Sequence, residues 1–179
     1  MRINVLFLLT VALVTGSCSR QPERQITEKE VRETQNAMVE VNRMLVQKDK
    51  QKITDYMRQH NLSLQESETG LWYGITKKGT GEPVKDGMTV TLEYDVRLLD
   101  GTRCYSSDSL GNKQFTVGKG EVESGLDEGV RLLQKGSEAV LILPPHLAFG
   151  FQGDGDKIPA RSIIVYHLKI IKADAQAAS

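Results

Sequence analysis

The 179-residue chain is poor in cysteine, histidine and proline, and neither sign of charge is in excess. Two cysteines and three histidines are too few for a disulfide-rich scaffold, a four-cysteine zinc site or a histidine-rich metal centre, so we expect no metal site. Because 23 basic residues balance 23 acidic ones, no overall positive field is available to hold nucleic acid. With 39% hydrophobic and 26% charged residues, the composition is that of a globular protein.

The N-terminal segment has the features of an export signal. Residues 1–17 begin with the basic Arg2, continue through the apolar run Val5–Val14 and end in small residues. This pattern indicates a secretory signal peptide, since a transmembrane helix needs about 20 apolar residues. The junction with Cys18 resembles the lipobox of bacterial lipoproteins, which implies a lipid anchor on Cys18 and an extracytoplasmic, membrane-anchored protein on the periplasmic side. The alternative is a cleaved signal peptide that leaves a soluble protein.

A flexible, lipidated tether over residues 18–26 is expected to precede a helical arm over residues 27–66. Thr27 and Glu30 fit a capping box, which predicts that a helix begins here. An apolar seam follows on an otherwise charged helix, at Val31, Met38, Val41 and Leu45 and then at Ile53, Tyr56 and Met57. Because the charged run Lys48–Lys52 interrupts this seam, we expect two helices or one bent helix.

The apolar seam of the arm needs a covering surface, because a one-sided stripe of this kind does not fold well alone. The C-terminal domain of the same chain is one candidate partner. The other is the same arm of a second copy, which would make the protein a homodimer. The sequence leaves both alternatives open.

Residues 67–173 carry strand patterns and one short helix pattern. The strict alternation over Met88–Leu98 predicts a long, half-buried strand. Further strands are expected at Leu71–Thr76, Phe115–Val117, Glu138–Leu143 and Ile163–Ile171. Leu126 and Val130 lie on one face of a short helix. The predicted fold class is therefore α+β, with a curved antiparallel sheet wrapped on one short helix, preceded by the helical arm and followed by a tail over residues 174–179.

Nine short stretches, in this order along residues 68–172, resemble the FKBP family of peptidyl-prolyl isomerases. They are Gly70–Tyr73, Lys78–Gly81, Val90–Tyr94, Leu99–Thr102, Ser106–Ser107, Phe115–Gly118, Gly125–Val130, Leu147–Gly150 and Ile158–Pro159. An ordered series is far more specific than a single motif. The order of signal, arm and C-terminal domain also resembles that of bacterial extracytoplasmic FKBP-type foldases, some of which dimerise through the arm. In its lipoprotein form the chain resembles the gliding-motility-associated FKBP-type lipoproteins of Bacteroidetes.

The resemblance implies rotation about X–Pro bonds, with proline-containing exported polypeptides as partners. The barrier of about 18–20 kcal/mol comes from amide resonance, which is lost as the bond twists. Twisting makes the carbonyl less polar, so an apolar pocket that removes water favours the twisted state over the planar one. This chemistry needs no nucleophile, metal or cofactor, and the sequence shows no triad or metal-ligand pattern.

The resemblance also assigns a pocket. Catalytic roles fall on Tyr94, Phe149 and Tyr166, and substrate-binding roles fall on Cys104, Tyr105, Val122, Leu126 and Ile158. In this assignment Val122 and Ile158 flank the proline ring, and the Ile158 N–H is available to a substrate carbonyl. Leu126 forms the floor, and Tyr166 stands at the back. Ordinary core packing is the alternative for each residue taken singly.

Several positions depart from the family pattern. Cys104 and Tyr105 stand where the family has phenylalanine and aspartate, and Glu123 replaces an apolar residue. Phe149 lacks the hydroxyl of a tyrosine often found there, a loss of about 0.5–1.5 kcal/mol in ligand binding. The first hypothesis is an isomerase for exported proteins, with activity weakened by Cys104 and Tyr105. The second is an FKBP-like chaperone or assembly factor, without catalysis or with little of it.

Two further features have structural interpretations. The triplet Asp154–Asp156 lacks the additional carboxylates of a calcium loop, so we expect a polar loop tip. Cys104 has no internal partner when Cys18 is lipidated. We therefore expect its thiol to be at least partly buried.

Overall fold

The computed structural model describes residues 27–175; the predicted signal peptide, tether and lipidated Cys18 lie outside the described residues. The elements in chain order are α1 (Glu28–Gln59), β1 (Gln65–Glu66), β2 (Trp72–Lys77), β3 (Met88–Leu98), β4 (Arg103–Ser106), α2 (Ser107–Leu110), β5 (Lys113–Thr116), α3 (Ser124–Arg131), β6 (Glu138–Leu143), a 3-10 turn (Pro145–Leu147) and β7 (Ile164–Ala175). Among the described residues, those up to Glu40 belong to one unit and those from Val41 onward belong to the other. Between residues 27 and 175, no helix has the length and apolar character needed to cross a membrane.

The arm is a single helix. Its predicted capping box is confirmed, since the Thr27 N–H donates to Glu30 Oε2 at 2.9 Å and the Glu30 N–H donates to Thr27 Oγ1 at 3.3 Å. The run Lys48–Lys52 does not interrupt α1, because lysine and glutamine are good helix formers. The expectation of two separate helices is therefore wrong.

The seven strands form one antiparallel sheet, in the order β1-β2-β6-β7-β3-β4, with β5 also paired to β3. The central strand β7 pairs with β6 on one side and with nearly the whole of β3 on the other. The predicted alternation of β3 is confirmed, because Val90, Leu92, Tyr94 and Val96 are buried on one face. Together with α1 and the short helices, this sheet confirms the predicted α+β class.

Both faces of the sheet are buried along Ala139–Leu143 of β6 and along Ile164–Tyr166 of β7. One face packs around α3, with contributions from Ala139, Leu141, Leu143, Ile164, Tyr166, Leu168 and Ile170. The other face packs against the C-terminal part of α1, where Ile53 and Tyr56 meet Val140, Ile142, Ile163 and Val165. The same chain therefore covers this part of the arm. From Ile53 onward, the covering surface of the arm is therefore the C-terminal domain of the same chain.

Helix α3 lies close to the sheet because one of its glycines leaves space. A Cβ atom on Gly129 would lie 2.4 Å from Leu141 Cδ1, which no packed side chain tolerates. This close approach buries Leu126 completely against the sheet. The helix thus supplies the floor of the predicted pocket.

Candidate functional site

The eight residues assigned to the pocket lie together in one apolar cluster. Tyr94, Cys104, Leu126, Ile158 and Tyr166 are buried, and Tyr105, Val122 and Phe149 pack against them while remaining partly exposed. The cluster therefore has a closed interior and a rim that a ligand can reach. Its role in binding or catalysis stays a prediction.

Strand register brings the aromatic residues of the cluster together. Val96 is the partner of Tyr105 in β4 and of Tyr166 in β7, so all three occupy neighbouring positions. Tyr94 precedes Val96 by two residues on the same face, and its ring centroid lies 6.5 Å from that of Tyr166. A register shift after Val96 leaves Cys104 as an extra residue in β4, as in a β-bulge.

An aspartate from a distant loop contacts the position where the family motif lost its aspartate. The Tyr105 hydroxyl donates a hydrogen bond to Asp154 and lies 3.3 Å from Asp156 Oδ2. This bond to Asp154, with burial as a second cause, raises the pKa of Tyr105 to about 12. Sequence reasoning treated Asp154 as a polar loop tip and missed this contact. No group of three or more histidine, cysteine or acidic residues able to hold a metal lies within residues 27–175.

The Asp154 carboxylate also organises its own loop. Its Oδ1 accepts the N–H of Asp156 at 2.9 Å and that of Ile158 at 2.8 Å. Burial raises the pKa of Asp154, but the bonds from Tyr105 and from these two N–H groups outweigh it and hold the pKa below its ordinary value. The prediction that the Ile158 N–H is available to a substrate carbonyl is wrong, because Asp154 already accepts it.

The thiol of Cys104 is buried, as predicted. Its Sγ lies 3.6 Å from the carbonyl oxygen of Lys157, a distance suited to a weak S–H hydrogen bond. Burial, followed by the charge of Asp154, raises the pKa of Cys104. The group is therefore a packed thiol rather than an activated nucleophile.

A polar trio, formed by Lys113, Glu123 and Tyr166, lies inside the cluster. The Tyr166 hydroxyl donates to Glu123 Oε1 at 2.9 Å, and Lys113 Nζ donates to the Tyr166 hydroxyl at 3.3 Å. Lys113 Nζ also lies 5.3 Å and 5.7 Å from the ring centroids of Tyr94 and Tyr166. The aromatic faces are therefore in contact with a cation of the same chain.

The burial of the trio affects the pKa of its tyrosine, Tyr166. The Glu123 side chain is only 7% exposed, and its Oε2 is a buried oxygen without a hydrogen-bond partner in the described chain, with Lys113 Nζ 3.8 Å away. Burial and the charge of Glu123 raise the pKa of Tyr166 well above its ordinary value, and the same two causes raise that of Tyr94. Both phenols are therefore neutral hydrogen-bond donors at neutral pH.

Lys113 was absent from the predicted site, although the sequence contains a signal for it. It stands two residues before the buried Phe115 in β5, and alternation places both on the same face of the strand. A lysine in a short strand is more often a solvated residue, so the pattern alone did not distinguish the two roles.

Two cavities of the described chain lie near the cluster. One, of about 400 Å³, borders β3, β4 and β7 and includes Tyr94 among its walls. Another, of about 540 Å³, lies between α1 and the turn after β3, with Arg161 on its wall. Since neither includes Phe149, Leu126 or Ile158, the candidate site is defined by the positions that the resemblance assigned and not by a cavity.

Comparison with known proteins finds a matching family and several relatives. The profile of the FKBP-type peptidyl-prolyl cis-trans isomerase family matches residues 80–171. A probable FKBP-type peptidyl-prolyl cis-trans isomerase FkpA of Neisseria meningitidis serogroup B is 35% identical over 170 residues, which cover 92% of this chain and 62% of that protein. Peptidyl-prolyl cis-trans isomerase Fkbp12 of Drosophila melanogaster is 40% identical over 91 residues, which cover 50% of this chain and 84% of that protein.

The fold is similar as well. The crystal structure of FkpA from Escherichia coli has a TM-score of 0.63 and 25% identity, over 84% of this chain and 75% of that chain. The chain therefore spans less than two thirds of the Neisseria relative and three quarters of the Escherichia coli structure.

The Asp154 bonds predict a pH-dependent contribution to stability. At pH about 7, Asp154→Asn is expected to lower the free energy of unfolding by about 1–2 kcal/mol, because a charged acceptor of three bonds is lost. The pKa of Asp154 is lowered in the folded state, so its contribution is complete above an ordinary aspartate pKa of about 3.9 and is lost as the pH falls through the folded pKa. Urea unfolding followed by circular dichroism over this pH range measures the difference.

The control for this experiment is Asp174→Asn, which changes an exposed carboxylate of β7. We expect the free energy of unfolding of this variant to equal that of the wild type over the whole pH range. If the difference in free energy of unfolding between the wild type and Asp154→Asn stays constant down to pH about 3, the bonds of the Asp154 carboxylate do not stabilise the fold as assigned here.

Proposed function

Because the chain belongs to the FKBP-type peptidyl-prolyl cis-trans isomerase family, as its motifs predicted, we propose that it catalyses the isomerisation of X–Pro bonds in exported proteins. One observation carries the proposal. Eight residues from three strands, α3 and two loops meet in a single apolar cluster whose rim, at Val122 and Phe149, is partly exposed.

The cluster can act on a prolyl bond by removing water from it. A proline ring that enters beside Val122 and Phe149 meets apolar walls, with Leu126 beneath them. The planar amide loses more solvation there than the twisted amide does, so the barrier falls. Since the N–H of Ile158 and the hydroxyl of Tyr105 both donate to Asp154, we assign the catalysis to desolvation rather than to a bond from either group.

The proposal is tested by the cis-to-trans relaxation of X–Pro peptides in the presence of residues 19–179. We expect acceleration by the wild type and a loss of about tenfold in kcat/KM for Phe149→Ala, which corresponds to about 1.4 kcal/mol of transition-state stabilisation. The matched control is Leu110→Ala, because Leu110 is an exposed apolar residue of α2 outside the cluster. Unchanged activity in both Phe149→Ala and Val122→Ala would show that the pocket is misplaced.

A second candidate function is that of a chaperone or assembly factor with little or no catalysis. The polar trio favours it, because a charged Lys113 and Glu123 stand where an apolar pocket needs apolar walls. The resemblance to gliding-motility-associated lipoproteins is compatible with an assembly role of this kind. In the same experiment, a wild type that prevents the aggregation of an unfolded client without accelerating peptide relaxation would establish this function and exclude the first.

The proposed location is the periplasmic side of a membrane, with Cys18 as the lipidated residue. It rests on the signal and lipobox pattern of the sequence, since Cys18 lies outside the described residues. Cells labelled with radioactive palmitate should yield a labelled wild-type protein and an unlabelled Cys18→Ala protein. Label in both proteins would contradict the assignment.

The proposed assembly is a homodimer through the arm. Six large apolar residues of α1 are exposed: Val31, Met38, Val39, Val41, Met44 and Val46. Exposed apolar residues in such number favour a second copy as the partner. Light scattering should give twice the mass of the chain for wild type and one mass for Met38→Asp combined with Met44→Asp. A monomeric wild type at micromolar concentration would exclude the dimer.

A further inference from the structure

The loop over residues 149–163, called here the site loop, carries two walls of the pocket and is closed by its own hydrogen bonds. The Gly153 N–H donates to the Phe149 carbonyl at 3.2 Å, and the Asp154 N–H donates to the Ile158 carbonyl at 3.0 Å. Gly153 has a φ of +73°, and a Cβ there would lie 2.3 Å from the Ile158 carbonyl oxygen. Because the loop is compact and internally bonded, a displacement at one end reaches Phe149 and Ile158.

One end of the site loop is fixed by Arg161. This residue has a φ of +57°, a left-handed conformation that a side chain other than glycine adopts only when its surroundings enforce it. Its N–H donates to the Gly150 carbonyl at 2.9 Å, and its guanidinium lies 5.2 Å from the ring centroid of Phe151. Arg161 therefore joins the two ends of the loop.

The side chain of Arg161 leaves the loop and donates to Asp49 of α1. Asp49 is 8% exposed as a whole residue, and its side chain is 12% exposed. A buried carboxylate requires a partner of opposite charge, because water no longer solvates it. This ion pair therefore connects the helix to the loop.

We propose that Asp49 is a positioning residue for the pocket, acting through Arg161 on Phe149 and Ile158. The inference rests on the proposed isomerase function and adds the helix to the machinery of the site. The tip of the loop is held by Asp154, which binds Tyr105 of the sheet, and its C-terminal end is held by the helix. With both anchors in place, the pocket walls stand at a fixed distance from the floor formed by α3.

A purely structural role for Asp49 can be separated from positioning. The docking of α1 is carried by Ile53 and Tyr56, which pack on the sheet whether or not Asp49 is charged. The single tryptophan, Trp72, reports that docking, since it packs in the same apolar group and Lys50 Nζ lies 5.7 Å from the centroid of its ring. Its fluorescence should be unchanged when the loop alone is released.

The experiment compares Asp49→Asn with the full wild-type chain in mild detergent. We expect kcat for an X–Pro peptide to fall about tenfold with little change in KM, because misplaced walls lose contacts that matter most in the transition state. Trp72 fluorescence should remain that of the wild type, and Asp49→Glu should restore most of the activity. Arg161→Gln should show the same fall in kcat. The double variant Asp49→Asn with Arg161→Gln should have a kcat no lower than that of either single variant, as expected for two residues that act as one unit.

The matched control is Asp55→Asn, because Asp55 lies on the same helix but its bonds go to Gln51 and Arg58 of α1 itself. We expect wild-type kinetics from it. An equal loss in Asp55→Asn, or a loss in Asp49→Asn that appears only together with a changed Trp72 spectrum, would overturn the proposal in favour of helix docking.

The positioning of the loop by Asp49 can still be tested if the wild type has no isomerase activity and the proposed function fails. The amide resonance of Ile158, measured by ¹H–¹⁵N NMR, reports the loop directly. A shifted resonance in Asp49→Asn but not in Asp55→Asn supports positioning of the loop. An unshifted resonance in Asp49→Asn overturns it.

Discussion

The burial of both faces along Ala139–Leu143 of β6 and Ile164–Tyr166 of β7 is the constraint on which the rest of the structure depends. A sheet covered on one side alternates apolar and polar residues, whereas Ala139–Leu143 is apolar throughout. One face packs against α3, and the other packs against the C-terminal part of α1. Each apolar side chain removed from water contributes about 1.5–3 kcal/mol. The helix is therefore a second layer of the folded domain from Ile53 onward, and it holds the sheet that carries the aromatic residues.

The parts of the fold that follow from short-range pattern were predictable, and the parts that follow from tertiary contact were not. The bounds of β3 and β6 agree with the sequence pattern because a period of two is a local property. The four-residue α2 and the two-residue β1 are too short to show a period. Which surface covers the arm is a long-range question, since an apolar stripe does not identify its partner.

The candidate site, like the fold, was predictable only in part. An ordered series of motifs was enough to bring eight residues to one place, because a shared fold fixes their relative positions. Tyr105 and Asp154 are 49 positions apart in the sequence, so no local sequence pattern predicts their contact. The missing motif aspartate therefore changes the site less than the sequence suggested, because the Asp154 carboxylate of the loop contacts Tyr105. The same carboxylate accepts the Ile158 N–H, which the resemblance had assigned to a substrate carbonyl.

In the pocket that we propose, the polar trio limits how tightly proline can be held. Lys113 Nζ lies over the faces of Tyr94 and Tyr166, and a prolyl ring seeking those faces must displace it. The Lys113 side chain is 28% exposed, so it can move outward into solvent, at a cost of about 0.5–2 kcal/mol in cation–π attraction. Glu123 cannot follow, because its side chain is buried and bound to Tyr166. Displacing the ammonium leaves that carboxylate with less compensation, which adds to the cost and weakens substrate binding relative to a pocket with apolar walls. A weak isomerase and a binding module with residual activity thus share one physical cause.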